Sequence, residues 1–154
     1  MSDDDKVSFY KKQIELEKLI IQTAQDSVAD VKNNVIKELI QSIARDSEKH
    51  ASMLKTLVTM NTTVTPYIAE DLLDELKVNM KKHIELEAKA IETYSELLKT
   101  MESEQEKLLV KAIYNDELRH HSLLKKIYEI IIRDEAITES DMWNFLKEDY
   151  IPQF

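Results

Sequence analysis

Glu17, His50, Glu87, Glu117 and His120 have the side-chain types that hold iron, manganese or zinc, and an offset of 70 residues superposes Glu17 on Glu87 and His50 on His120. The offset reaches beyond these positions. Asp116-Glu117-Leu118-Arg119-His120 is matched by Asp46-Ser47-Glu48-Lys49-His50, and Lys81-Lys82-His83-Ile84-Glu85-Leu86-Glu87 by Lys11-Lys12-Gln13-Ile14-Glu15-Leu16-Glu17. A period of this size marks a duplicated supersecondary unit. One position with chemical consequence breaks the match: Ser47 stands where the second copy has Glu117.

The elements that position these residues are helices. Glycine is absent and there are only two prolines, Pro66 and Pro152, whereas hairpins and βα loops need glycine. Apolar residues recur with a period near 3.6 almost throughout. The spacing predicts a first helix over residues 6–32, with Asp3, Asp4 and Asp5 suited to its N-terminus, and a second over 35–60 after the break at Asn33-Asn34. An extended linker follows at 61–66, β-branched and proline-containing. A third helix is expected over 69–101 and a fourth from a Ser103 N-cap to about residue 133. Thr138 to Ser140 can cap a short fifth helix over 141–148, with Trp143 as a docking residue, and 151–154 form a tail. The 154 residues are read as one domain, in which 6–60 and 69–133 are duplicated helical hairpins and 134–154 is a C-terminal helix and tail. If the second and third helices run parallel, their connection climbs about 40 Å, which roughly a dozen extended residues barely span. A homodimer that exchanges hairpins is the alternative.

Charge and composition narrow the function. Cysteine is absent, which excludes disulfides, iron–sulfur clusters and CxxC zinc knuckles and suits a reducing compartment. No apolar run approaches a membrane span, and the acidic start differs from a signal peptide, so the cytoplasm is the expected location. A net charge of -9 opposes binding to nucleic acid. Helical spacing sets Tyr10, Gln13, Glu17, Ile20 and Ala24 on one inward face, and Ile36, Leu39, Ile43, Ser47, His50, Leu54 and Leu57 on another. The second copy supplies Met80, His83, Glu87, Ala90 or Ile91, and Tyr94, then Ile113, Glu117, His120, Leu124 and Ile127. Three interior carboxylates cost several kcal/mol each unless paired or metal-bound. One or two divalent cations neutralise them better than two imidazoles do. His121 is expected to face solvent.

These residues resemble the ferritin-like di-iron carboxylate superfamily, and among its members the rubrerythrin-like and small stand-alone proteins. Such bundles take one Glu from each of two helices and an E-x-x-H pair from each of the others. Glu17, Glu87, and Glu117 with His120 match that pattern over most of residues 6–133. The resemblance implies an all-α, ferritin-like four-helix bundle with a long crossover between its second and third helices. It implies metal ligation by Glu17, His50, Glu87, Glu117 and His120. Asp116 with Arg119, and Asp46 with Lys49, resemble the family's outer partners of ligating histidines, and Tyr94 fits its Glu-x6-Tyr spacing. His83, one turn before Glu87, is a further candidate ligand. The chain departs from the family at Ser47, which replaces a bridging carboxylate, and at Ala24, the counterpart of Tyr94.

The resemblance thus implies an iron-dependent oxidoreductase that handles peroxide or oxygen, or oxidises Fe(II), at a modified di-metal site of one or two ions. Manganese and zinc suit the same donors. With no cysteine for a rubredoxin-like centre, electrons would come from an external donor. Two other readings stand beside it: iron storage in a shell, and a metal-free or zinc-holding helical scaffold whose site has decayed. An isolated E-x-x-H is usually a surface ion-pair pattern, and Tyr10 and Tyr94 are more often core packing than redox groups.

Overall fold

The fold follows from four amphipathic helices whose ends are set by side chains. In a computed structural model that describes residues 2–64, 68 and 70–132, these are α1 (Asp3–Val28), α2 (Asn34–Thr62), α3 (Glu70–Thr100) and α4 (Glu104–Ile132), with no strand among the described residues. Ser2 caps α1: its hydroxyl accepts from the Asp5 amide at 3.2 Å, and its own amide donates to the Asp5 carboxylate at 3.1 Å. This reciprocal arrangement satisfies two amides that a helix start leaves unpaired. Asn33 caps α2, its Oδ1 accepting from the amides of Val35 and Ile36. Ser103 accepts from Glu106 at the start of α4, as its sequence position predicts.

Two boundaries differ from expectation. The first helix ends at Val28 rather than near residue 32. The second continues through Asn61 and Thr62, where the linker was expected to begin. The Asn61 amide group donates back to the Leu57 carbonyl and the Thr62 hydroxyl to the Val58 carbonyl, so the polar side chains serve the last turn instead of breaking it. Thr63 is then extended. The expected fifth helix at 141–148, Trp143 and the tail at 151–154 lie outside the described residues. No helix among the described residues is long and apolar enough to cross a membrane.

The chain divides into two compact units, Met1–Tyr67 and Ile68–Phe154. In the first, α1 packs on α2; in the second, α3 packs on α4. Each pair is a helical hairpin. In the first, the less exposed positions run through Tyr10, Ile14, Glu17, Ile21, Ala24 and Val28 of α1, and Ile40, Ala44, Ser47, Ala51, Leu54 and Val58 of α2. In the second they run through Met80, Ile84, Glu87, Ile91, Tyr94 and Leu98 of α3, and Val110, Tyr114, Glu117, His121, Leu124 and Tyr128 of α4. Steps of four and three alternate, as expected of two helices packed at a shallow angle. Because the 70-residue offset is a whole number of heptads, it carries each seam of the first hairpin onto the same seam of the second.

This register corrects the expected faces. Ile20, Ile36, Ile43 and Ile113, read as inward-facing, are exposed, and His121, expected in solvent, is half-buried on the α4 seam. The hydrophobic stripe on each helix is broader than the seam, and the 3.6-residue reading centred it about one position away from the helix–helix contact.

The seams differ in bulk. Ala24, Ala44, Ser47 and Ala51 occupy the positions where the second hairpin has Tyr94, Tyr114, Glu117 and His121. All four small residues are buried, Ser47 most deeply at 4% exposure. Small seam residues suit close helix packing, since interaxial distance follows the side chains at the contact.

Candidate metal centre

The second hairpin assembles a cluster of donors across its seam. Glu87 comes from α3, and Glu117 and His120 from α4, one turn apart on the same side of the helix. One donor atom from each lies within 4.8 Å of the others. His120 Nδ1 is 3.5 Å from Glu117 Oε2 and 3.9 Å from Glu87 Oε1. His83 reaches the same Glu87 oxygen from its own helix, with Nε2 at 3.1 Å. The Glu87 and Glu117 carboxyl groups are largely covered by the hairpin, whereas the imidazoles of His83 and His120 remain about half exposed.

The two carboxyl groups titrate against one another. Hydrogen bonding with Glu87 pushes Glu117 above its ordinary value of 4.5, with burial and the Glu87 charge adding to the effect. Glu87 is held below the same value, first by that hydrogen bond; His120 and His83 also lower it, while burial opposes them. Adjacent carboxylates resist ionising together. A cation bound between them would favour the ionised form of both.

The first hairpin repeats half of this arrangement. His50 Nδ1 lies 3.4 Å from Glu17 Oε1, reproducing across α1 and α2 the His120–Glu87 approach of the second hairpin. Glu17 Oε2 is buried with no hydrogen-bond partner, the condition of a carboxylate oxygen left for a ligand that is not a protein group. At the Glu117 counterpart the first hairpin has only the buried hydroxyl of Ser47. The structure thus brings the five expected ligands together as two sets: Glu17 with His50, and Glu87 with Glu117 and His120.

The residues expected to orient ligands are placed as follows. Asp116 accepts from the Arg119 guanidinium one turn along α4, and Asp46 pairs with Lys49 at 2.7 Å in the first copy. Tyr94 is half-buried on the α3 seam, two turns beyond Glu87. The residue that pattern reading missed is His121. Its signal was Ala51, its counterpart at a buried seam position.

The fold and cluster define a class: an all-helical protein of duplicated hairpins carrying carboxylate and imidazole donors. The chain belongs to the rubrerythrin family, whose model matches residues 13–128, and this membership makes its fold class ferritin-like, within a superfamily of di-iron proteins. No curated protein and no solved structure matches it.

The opposed shifts of the pair set a pH signature. In the metal-free protein, Glu87 adds stability that is present above the ordinary carboxylate value and lost as pH falls through its lowered folded value. Glu117 works in the opposite sense: its stabilised acid form is present below 4.5 and lost as pH rises through its raised folded value. Metal binding requires the Glu117 proton to leave. The increase in melting temperature on adding Co(II) is therefore expected to grow with pH above 4.5, while the metal-free melting temperature falls over the interval in which Glu117 ionises. Calorimetric scans across that interval, with and without Co(II), check both slopes.

Proposed function

We propose that this chain is an iron-dependent oxidoreductase acting on peroxide or oxygen, or oxidising Fe(II), at a modified di-metal site. The observation that carries the reading is the convergence of Glu87, Glu117 and His120 within one hairpin of a rubrerythrin-family chain. Glu87, whose carboxyl is held below its ordinary value, is the ready carboxylate ligand. Glu117 serves as a ligand in its ionised form, and His120 presents Nδ1 to both. Glu17 and His50 are the remaining ligands of this reading, with the orphaned Glu17 Oε2 as their support. When bound, iron supplies a one-electron couple for reduction of the oxidant. Manganese and zinc fit the same donors, and an external electron donor is proposed because the sequence offers no cysteine for a sulfur-ligated iron.

The test is metal content after anaerobic iron loading, followed by Fe(II) oxidation with peroxide or oxygen as oxidant. One or two ions per chain and turnover are expected. Less than a stoichiometric ion overturns the reading. One observation favours a scaffold role for the first hairpin: the burial of Ser47 in a seam of small residues.

A homodimer is part of the proposal, with exchange of hairpins as its variant form. Were α2 and α3 parallel, residues 63–69, with a reach under about 30 Å, would fall short of the about 43 Å rise of the 29-residue α2. Light scattering behind size-exclusion chromatography is expected to give twice the chain mass of 18.0 kDa; a monomer refutes exchange.

A further inference from the structure

We infer that His83 is a positioning residue for the proposed metal site, its Nε2–H holding the Glu87 carboxylate in place for the ion. The inference rests on the reading that Glu87, Glu117 and His120 bind metal, and it assigns His83 a role that the ligand motif does not include.

Geometry separates His83 from the ligands themselves. The cluster whose donor atoms all approach one another within 4.8 Å consists of Glu87, Glu117 and His120, without His83. Yet His83 Nε2 lies 3.1 Å from Glu87 Oε1, the same oxygen that His120 approaches at 3.9 Å. A carboxylate that ligates a metal can only accept, so in the proposed site His83 Nε2, at 3.1 Å, carries the hydrogen and donates it. A carboxylate ligand needs such an outer donor to fix its orientation.

The pair also differs from several one-turn lysine–carboxylate pairs of the helices. In Lys6–Asp3, Lys18–Glu15, Lys99–Glu96 and Lys107–Glu104 the carboxylate is 67–82% exposed. Exposed pairs of that kind contribute little. In His83–Glu87 the donor is 55% exposed but the carboxylate only 13%. The solvent-reaching imidazole is therefore spent on a covered carboxylate of the cluster.

The internal repeat supplies a comparison. Gln13 stands at the His83 position of the first copy, and in that hairpin Glu17 Oε2 is left without a hydrogen-bond partner. The imidazole belongs to the copy that retains its full set of seam donors.

The experiment titrates Co(II) into the chain and its His83→Ala and Glu117→Ala variants, reading affinity and the visible ligand-field bands. His83→Ala removes the donor at an exposed position, so the metal-free protein should still fold. Its Co(II) affinity is expected to fall by about 10- to 100-fold, with the band positions retained because the ligand set is intact. Affinity within twofold of the parent overturns the inference. So does a loss of affinity accompanied by shifted bands, which makes His83 a ligand. Glu117→Ala judges the underlying reading separately: if it leaves Co(II) affinity unchanged, the metal site itself fails, whatever His83→Ala does.

Discussion

Replacing Ser47 by glutamate is expected to lower the melting temperature of the metal-free protein by roughly 10 °C, although the substitution restores the residue found in the second copy. Ser47 is the most buried polar residue described, at 4% exposure, with Ala44 and Ala51 buried one turn to either side and Ala24 buried on the facing helix. Enlarging a side chain in such a seam costs about 1–3 kcal/mol. Burying a second carboxyl group beside the covered Glu17 carboxylate adds about 2 kcal/mol or more. At about 2–4 °C per kcal/mol for a chain of this size, the sum gives the stated shift. The second hairpin has the larger Tyr94, Tyr114 and His121 at the corresponding seam positions. Differential scanning calorimetry of the variant, with and without Co(II), checks the expectation. An unchanged melting temperature would show that the seam has room for the carboxylate, and that Ser47 is a lost ligand rather than a packing residue.

Replacing Glu117 by alanine is expected to lower Co(II) or Fe(II) affinity by at least about 100-fold, or roughly 3 kcal/mol, a ligand's share of a site worth about 10 kcal/mol or more. Glu117 meets both other members of the cluster. Its carboxyl interacts with that of Glu87, and its Oε2 lies 3.5 Å from His120 Nδ1. Without it, Glu87 and His120 remain as a pair no richer than Glu17 and His50. Glu15→Ala is the control: Glu15 is exposed and engages Lys18 of the same helix, so affinity should be unaffected. Isothermal titration of the two variants beside the parent protein decides the matter. Retained affinity in Glu117→Ala would remove the cluster from the metal-site reading.

Helix order, the hairpin repeat and the donor types were legible along the chain. The absence of glycine, the break at Asn33-Asn34, the capping signal at Ser103, and the 70-residue offset all act through local chemistry or arithmetic. The faces were less legible. Ile20, Ile36, Ile43 and Ile113 share apolar character with the seam residues, and periodicity alone does not separate a contact line from the stripe beside it. His121 shows the same difficulty from the polar side: adjacent to His120, it was read as solvent-facing, although Ala51 marked its position as a place for packing.

Local order thus decided that this chain is a pair of like helical hairpins with Glu and His at matching places, because caps, propensity and repeat length need only neighbouring residues. Which carboxyl is pushed up depended on side chains brought together across the seam. Glu87 and Glu117 are 30 residues apart in sequence and meet only when α3 lies against α4. The repeat supplied two copies of one ligand pattern. Packing made them different, with small buried residues around Ser47 and larger ones around Glu117.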